Sequence, residues 1–167
     1  MKVFLLIALT ADGLIGRDAH HLADWSSRED KKLFVRLTKE AGVIVFGFNT
    51  FETIGRALPG RRMIVYTSDP SKITAQGVET TREAPADLVK RLKAEGANGL
   101  AVCGGASIYT QFMKAGVVDE LYITIEPVMF GRGLTLFNDE LEAHVRLLEV
   151  SKLNDNAVLL HYTVQKS

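Results

Sequence analysis

Among the residues able to do chemistry, Asp30 stands apart because of where the helical count puts it. Ser27-x-x-Asp30 has the spacing of a capping box, and Leu33, Phe34, Leu37 and Ala41 follow at helical intervals. Counting back three and four residues from Leu33 and Phe34 lands on Asp30, whereas Arg28, Glu29, Lys31, Lys32, Arg36, Lys39 and Glu40 mostly fall on other faces. Asp30 therefore points toward the interior. A carboxylate there is suited to hold and polarise a ligand, or simply to cap the first turn by bonding a free amide and favouring the helix dipole.

A second chemical signal is the run Val102-Cys103-Gly104-Gly105-Ala106-Ser107-Ile108-Tyr109, which passes from an apolar strand through a glycine pair into a helix ending near Gly116. The free amides and positive end of that helix suit an anion such as a pyrophosphate, although two glycines serve a tight turn equally well. The G-x-G-x-x-G dinucleotide fingerprint is absent. Upstream, a buried strand ends at Gly47, a short helix starts near Asn49-Thr50, and a strand resumes after Leu58-Pro59-Gly60-Arg61-Arg62. Thr67 and Ser68 close that strand with two hydroxyls able to bond a phosphate or ribose, or to form a solvated turn with Asp69-Pro70.

Arg56, Arg61 and Arg62 cluster around the Pro-Gly turn, where a guanidinium can grip a carboxylate or phosphate with two bonds. Arg62 reads as solvated and Arg61 stays open. His20 and His21 lack carboxylate or thiolate companions at metal-ligand spacing, so they read as loop polarity and no metal is expected. Cys103 lies in an apolar strand without a nameable basic partner and reads as a small buried residue rather than a nucleophile.

The elements that must position these groups follow from alternating apolar runs and helical segments. Strands are predicted over 2–9, 43–48, 63–67, 100–103, 120–126, 145–153 and 158–165, and helices near 27–40, 50–55, 85–95 and 106–115. Several strands are apolar on both faces, which suits a sheet covered on both sides. The final two strands flank Asn154-Asp155-Asn156 and should form a hairpin. The expected architecture is α/β, with a mostly parallel sheet finished by an antiparallel edge and ligands at the carboxyl ends of the central strands.

A chain of 167 residues fits one domain, 1–167, and is long enough to bury roughly two thirds of its unfolded surface without a disulfide or metal. Its single Cys rules out a disulfide framework. Twenty Lys and Arg balance twenty Asp and Glu, so no global field favours nucleic acid or an anionic membrane. The apolar run 3–9 is too short for a membrane span and lacks a signal-like cleavage region, so it reads as a buried strand of a cytoplasmic protein.

Taken in order, "ADGLIG", "W-x4-D-x3-F-x3-T", "VIVFG-x2-TFETIGRALPGRR-x-IVYTS", "VCGGASIY" and "ELYIT" resemble the dihydrofolate reductase family over residues 3–125. The resemblance implies an eight-stranded, mostly parallel sheet with about four helices and an antiparallel C-terminal hairpin. It also implies NADPH-dependent reduction of dihydrofolate. Asp30, five residues after Trp25, matches the family's acid, which bonds the pterin amino group and ring N–H and favours protonation beside the carbon that receives hydride. Leu6, Ala8 and Ile54 would line the pterin pocket, Phe34 would pack against the substrate, and Lys31 and Cys103 would border it. Thr124 would support the pterin through water, and Arg61 would hold the α-carboxylate of the glutamate tail. The cofactor would meet Ala8, Ile15, Gly16, Gly47, Phe48, Asn49, Thr50, Thr67, Ser68, Cys103, Gly104, Gly105, Ala106, Ser107, Ile108 and Tyr109.

The departures have chemical content. Phe48 and Ser107 stand where the family often has basic residues, Phe48 at the arginine that reaches the extra phosphate of NADPH, so NADH is a possible cofactor. Lys31 replaces a frequent apolar residue, and the loop from Arg17 to Asp24 is longer than in short relatives and lacks the usual proline before Trp25. The last third, "IEPVMFGRGLTLF" and "LLEVSKLNDNAVLLHYTV", is more similar to the reductase domain of riboflavin biosynthesis, which acts on a ribosylaminopyrimidine phosphate. A non-catalytic nucleotide-binding module is a third alternative, which would not need Asp30 on an apolar stripe. The expected partners are dihydrofolate as a small-molecule substrate and NADPH, without nucleic acid or membrane, in a monomer or small homo-oligomer.

Overall fold

The computed structural model describes residues 1–20 and 24–167. Apolar runs become strands β1 (Lys2–Thr10), β3 (Val43–Gly47), β4 (Arg62–Tyr66), β6 (Gly99–Val102) and β7 (Glu120–Glu126), and the terminal pair becomes β9 (Val145–Lys152) and β10 (Val158–Val164). Three shorter strands are β2 (Leu14–Gly16), β5 (Val78–Thr81) and β8 (Leu134–Thr135). The helices are α1 (Arg28–Ala41), α2 (Phe48–Ile54), α3 (Pro85–Ala94) and α4 (Ala106–Lys114).

Eight strands form one sheet in the order β5-β4-β3-β6-β1-β7-β10-β9, and β2 pairs with β8 in a separate ribbon. The strands from β5 to β7 pair in parallel, whereas β10 is antiparallel to β7 and β9 is antiparallel to β10. Both faces of the sheet are covered, which is why its central strands are apolar throughout. Leu88, Leu92, Ile108 and Phe112 pack on one face with Leu5, Val45 and Ile64. Leu33, Leu37 and Phe51 pack on the other with Phe4, Ile44 and Met63. The expected fold class and its antiparallel ending are both present. Among the described residues, no helix is long and apolar enough to cross a membrane.

The differences are local. Helix α2 begins at Phe48, directly after Gly47, so Phe48 leaves the strand to which its hydrophobicity assigned it. Strand β5, Val-Glu-Thr-Thr, has no apolar alternation, and its place is set by backbone pairing with β4 at the sheet edge. Strands β2 and β8 are too short to carry a periodic signal. Arg62, read from sequence as solvated, is exposed, and it bonds Glu79 at 2.9 Å and Glu95 at 2.5 Å in a surface network that Arg91 completes with Glu79, Glu83 and Glu95.

The β2–β8 ribbon depends on one glycine. A Cβ on Gly133 would overlap the carbonyl oxygen of Gly16 and press on Leu14. Gly133→Ala should therefore pry β8 from β2 and lower stability by about 1–3 kcal/mol, the usual range for a forced overlap. Urea unfolding checks this; a midpoint equal to that of the native chain would show that the ribbon yields without cost.

Candidate functional site

A cleft of about 1050 Å³ opens at the carboxyl ends of the parallel strands. Parallel topology brings the loops after β1, β3, β4 and β6 to one side of the sheet, the side on which open α/β sheets bind ligands. The cleft gathers most of the residues singled out from sequence. Leu6, Ala8, Asp30, Lys31, Phe34, Ile54 and Cys103 line one part. Ile15, Gly47, Phe48, Asn49, Thr50, Thr67, Ser68 and the run from Gly104 to Tyr109 line the rest. Gly16, Arg61 and Thr124 do not line it. Gly16 pairs with Leu134 in the β2–β8 ribbon, and Thr124 is fully buried in β7. Arg61 bonds the Pro59 carbonyl at 2.9 Å and the Thr38 hydroxyl at 3.1 Å, bracing α1 from the side.

The start of α1 decides what Asp30 can do. In a full capping box, the third helical side chain returns a bond to the cap residue's amide. Here the Ser27 hydroxyl accepts from the Asp30 amide at 3.2 Å, but the reciprocal half is made by another strand. Glu126, at the end of β7 and 1% exposed, accepts from the Ser27 amide at 2.9 Å and from its hydroxyl at 2.8 Å. The Asp30 carboxylate is thereby relieved of capping and faces the cleft. A second tie, from the Asn154 amide to Glu29 at 3.2 Å, fixes the same turn to the β9–β10 connection.

Burial pushes the Asp30 carboxyl above its ordinary range. The Thr124 hydroxyl opposes that rise, the neighbouring Glu126 charge adds to it, and the Lys31 charge opposes it. Among the described residues the buried Thr124 hydroxyl has no hydrogen-bond partner of good geometry, so beside Asp30 it is poised rather than engaged. Burial also pushes the Tyr109 phenol up, and its hydroxyl donates to the Leu6 carbonyl at 2.6 Å, holding α4 against β1. Cys103 bonds only weakly, to the Ala101 carbonyl at 3.6 Å, and burial pushes its thiol well up. Both effects argue against a nucleophilic thiol.

The other half of the cleft is a backbone cradle. Gly47 donates to the Gly104 carbonyl at 2.8 Å, joining the ends of β3 and β6. Gly104 has a φ of +109°, and a Cβ there would meet the Tyr109 ring at 3.3 Å. The next peptide, Gly104–Gly105, is cis. Among the described residues neither α2 nor α4 has a side-chain cap, and the first residues of both line the cleft, so their first amides are available to a ligand there. These donors, with Ser68 and Ser107, fit the anionic linker of a dinucleotide.

Sequence reasoning did not assign Trp25, Tyr66, Arg82, Gln111 or Asn138 to the site, yet all line the cleft. Trp25 stood in a quoted motif and carried a signal. Arg82 follows the polar strand β5, which apolar patterning cannot find. His20 lies in an exposed turn, its amide bonded to Asp18, and His21 lies outside the described residues, as does part of the loop 17–24. Among the described residues, no group of three or more His, Cys, Asp or Glu is arranged to hold a metal ion.

The dihydrofolate reductase family profile matches residues 2–159. Dihydrofolate reductase type 3 of Salmonella typhimurium is 34% identical over 90% of this chain and 87% of its own length. The uncharacterized protein YwjB of Bacillus subtilis is 27% identical over 96% of this chain and 97% of its own. Among solved structures, the putative riboflavin biosynthesis protein of Shewanella sp. PV-4 superimposes with a TM-score of 0.80 at 22% identity, covering 99% of this chain and all of that one. Dihydrofolate reductase of Enterococcus faecalis, complexed with NADP(H) and RAB-propyl, gives 0.72 at 27% identity, covering 99% and 97%.

The capping arrangement gives a direct test. Glu126→Gln keeps an acceptor for Ser27 while removing a negative charge near Asp30, and the loss of that charge makes ionising Asp30 easier. A carbon-13 NMR titration should find the Asp30 midpoint above 3.8 in the native chain and lower in the variant. An unchanged or higher midpoint in a folded variant would refute the coupling.

Proposed function

The chain belongs to the dihydrofolate reductase family, and on that footing we propose that it reduces 7,8-dihydrofolate to 5,6,7,8-tetrahydrofolate with NADPH. The observation that carries this reading is the Asp30 carboxylate, released from capping and set at the apolar end of a cleft whose other end is a glycine cradle.

When bound, the reduced nicotinamide supplies the hydride. Gly47, Gly104, Gly105 and the first amides of α4 would hold the linking phosphates, and the backbone at Ala8 and Ile15 would border the nicotinamide. Leu6, Phe34 and Ile54 supply an apolar slot that excludes water and fixes the pterin plane. Asp30 accepts the pterin's amino and ring N–H donors, and burial shifts its pKa upward, in the direction that favours proton delivery during the reduction. Thr124, with its unengaged hydroxyl beside Asp30, fits a supporting bond in the loaded site. A soluble small-molecule reductase of this kind is consistent with a cytoplasmic enzyme built as one domain.

For the cofactor's extra phosphate, Phe48 offers no charge, but Arg82 lines the cleft with Thr67 and Ser68 and supplies a guanidinium there. NADPH is therefore the preferred form in this reading.

A second reading, reduction of a ribosylaminopyrimidine phosphate, is favoured by one observation. Arg61 is engaged with Thr38 and Pro59 rather than lining the cleft, so the grip on a folate glutamate is not preformed. Lys31 and Arg56 on the cleft wall would suit a substrate phosphate instead. Following nicotinamide absorbance with NADPH and each substrate in turn separates the two. Oxidation driven by dihydrofolate supports the first reading, oxidation driven only by the pyrimidine supports the second, and none with either removes both.

In the active assay, Asp30→Asn should leave fold and cofactor affinity nearly intact while lowering turnover at neutral pH by roughly a hundredfold or more, typical of losing a positioned acid–base group. Turnover close to native would remove Asp30 from its role. Arg82→Ala should raise KM for NADPH on the order of tenfold and leave KM for NADH nearly unchanged, as expected for one lost charge-assisted phosphate contact. Equal effects on the two cofactors would contradict the assignment.

A further inference from the structure

Strand β9 ends the sheet with a neighbour on one side only, β10. Four of its eight residues are exposed apolar side chains. Val145, Leu147, Leu148 and Val150 are 38%, 49%, 42% and 56% exposed. An edge of this kind pairs with another strand unless charge, proline or a covering element prevents it. The opposite edge shows such protection: β5 is polar and its Glu79 joins the ion network of Arg62 and Arg91. Nothing comparable covers β9 among the described residues.

The strand also carries three charged residues. Lys152 closes it, and Arg146 and Glu149 lie within it, neither with an ion-pair partner among the described residues. Three positions apart on a regular strand, they would face opposite sides of the sheet. A bulge changes this. Glu149 is opposite His161 and Leu147 is opposite Tyr162, so Leu148 is the extra residue in the ladder. Arg146 and Glu149 thus share the face of Thr163 and His161, while Val145, Leu147 and Val150 share the face of Val164, Tyr162 and Leu160.

We propose that β9 is a self-pairing interface: two copies of the chain join their β9 strands antiparallel about a two-fold axis between Leu147 and Leu148, making one continuous sheet. In that register, each Arg146 meets Glu149 of the partner subunit, each Val145 meets Val150 of the partner subunit, and the leucines meet at the axis. Directly opposed residues must share a face of the sheet, and the bulge is what satisfies this for both the charged and the apolar pairs. A two-fold contact requires such self-complementarity. The strand supplies it from six consecutive residues, which favours a second copy of this chain over an unrelated partner.

Sedimentation velocity over a range of concentrations tests the proposal, with circular dichroism to verify folding. None of these residues lines the cleft, so any reductase activity should persist in the variants. The native chain should sediment at twice the chain mass at micromolar concentration. Arg146→Glu alone, which sets like charges opposite each other twice, should weaken dimerisation on the order of tenfold or more. Val150→Lys should do the same. Combining Arg146→Glu with Glu149→Arg restores complementarity and should recover the dimer. A native chain that stays monomeric overturns the proposal, as does a dimer indifferent to Arg146→Glu and Val150→Lys. Failure of the double charge swap to recover the dimer also overturns it, because the register would then be wrong.

Discussion

The bond pair from Ser27 to the buried carboxylate of Glu126 is the constraint on which the site rests. A carboxylate that is 1% exposed is costly unless its oxygens are bonded. Its donors come from a helix N-cap nearly a hundred residues away in sequence, so satisfying Glu126 and placing α1 are the same event. With the Ser27 amide taken, Asp30 has no structural duty for its side chain. The same proximity that orders the helix puts a like charge beside Asp30 and disfavours its ionised form. One interaction therefore sets the position of the acid and adds to the burial that raises its pKa.

That constraint could not be read from the first turn alone. The sequence Ser27-x-x-Asp30 has two consistent interpretations, a complete local capping box or an inward-facing acid, and the deciding group lies on β7. Most of the fold did not have this difficulty. Strands β1, β3, β6 and β7 are apolar enough to be recognised in isolation, and the break at Asn154-Asp155-Asn156 marks the β9–β10 turn. What escaped was held by backbone pairing or by a single close approach. Strand β5 has no apolar stripe, and β2 and β8 are joined through the missing side chain of Gly133.

The same division runs through the site. The glycine pair at 104–105 was legible because Gly in a strand-to-helix turn has few uses, although choosing between tight turn and ligand cradle required knowing that Gly47 bonds Gly104. Cys103 was legible as inert because no base adjoins it in sequence, and in space the Arg61 charge that favours its thiolate is outweighed by burial. The arginines were not separable by sequence. Arg62 joins an ion network, Arg61 braces Thr38, and Arg82, reached only through an unrecognised edge strand, is the one beside Thr67 and Ser68 in the cleft. A long flexible cation takes its meaning from neighbours that sequence spacing does not supply.

The glycine cradle also divides the cleft into positions that can diverge and positions that cannot. At Gly104 the backbone lies in a region L side chains avoid and the Tyr109 ring fills the space a Cβ would take, while at Gly105 the Thr50 hydroxyl stands 3.2 Å from that point. Substitution at Gly104 is closed by shape before any ligand is considered, and at Gly105 it requires the Thr50 side chain to give way. Phe48, Lys31, Arg56 and Arg82 line the same cleft as side chains and meet no such restriction. Related proteins sharing this scaffold can therefore exchange one substrate for another by changing its wall while inheriting the backbone floor unaltered.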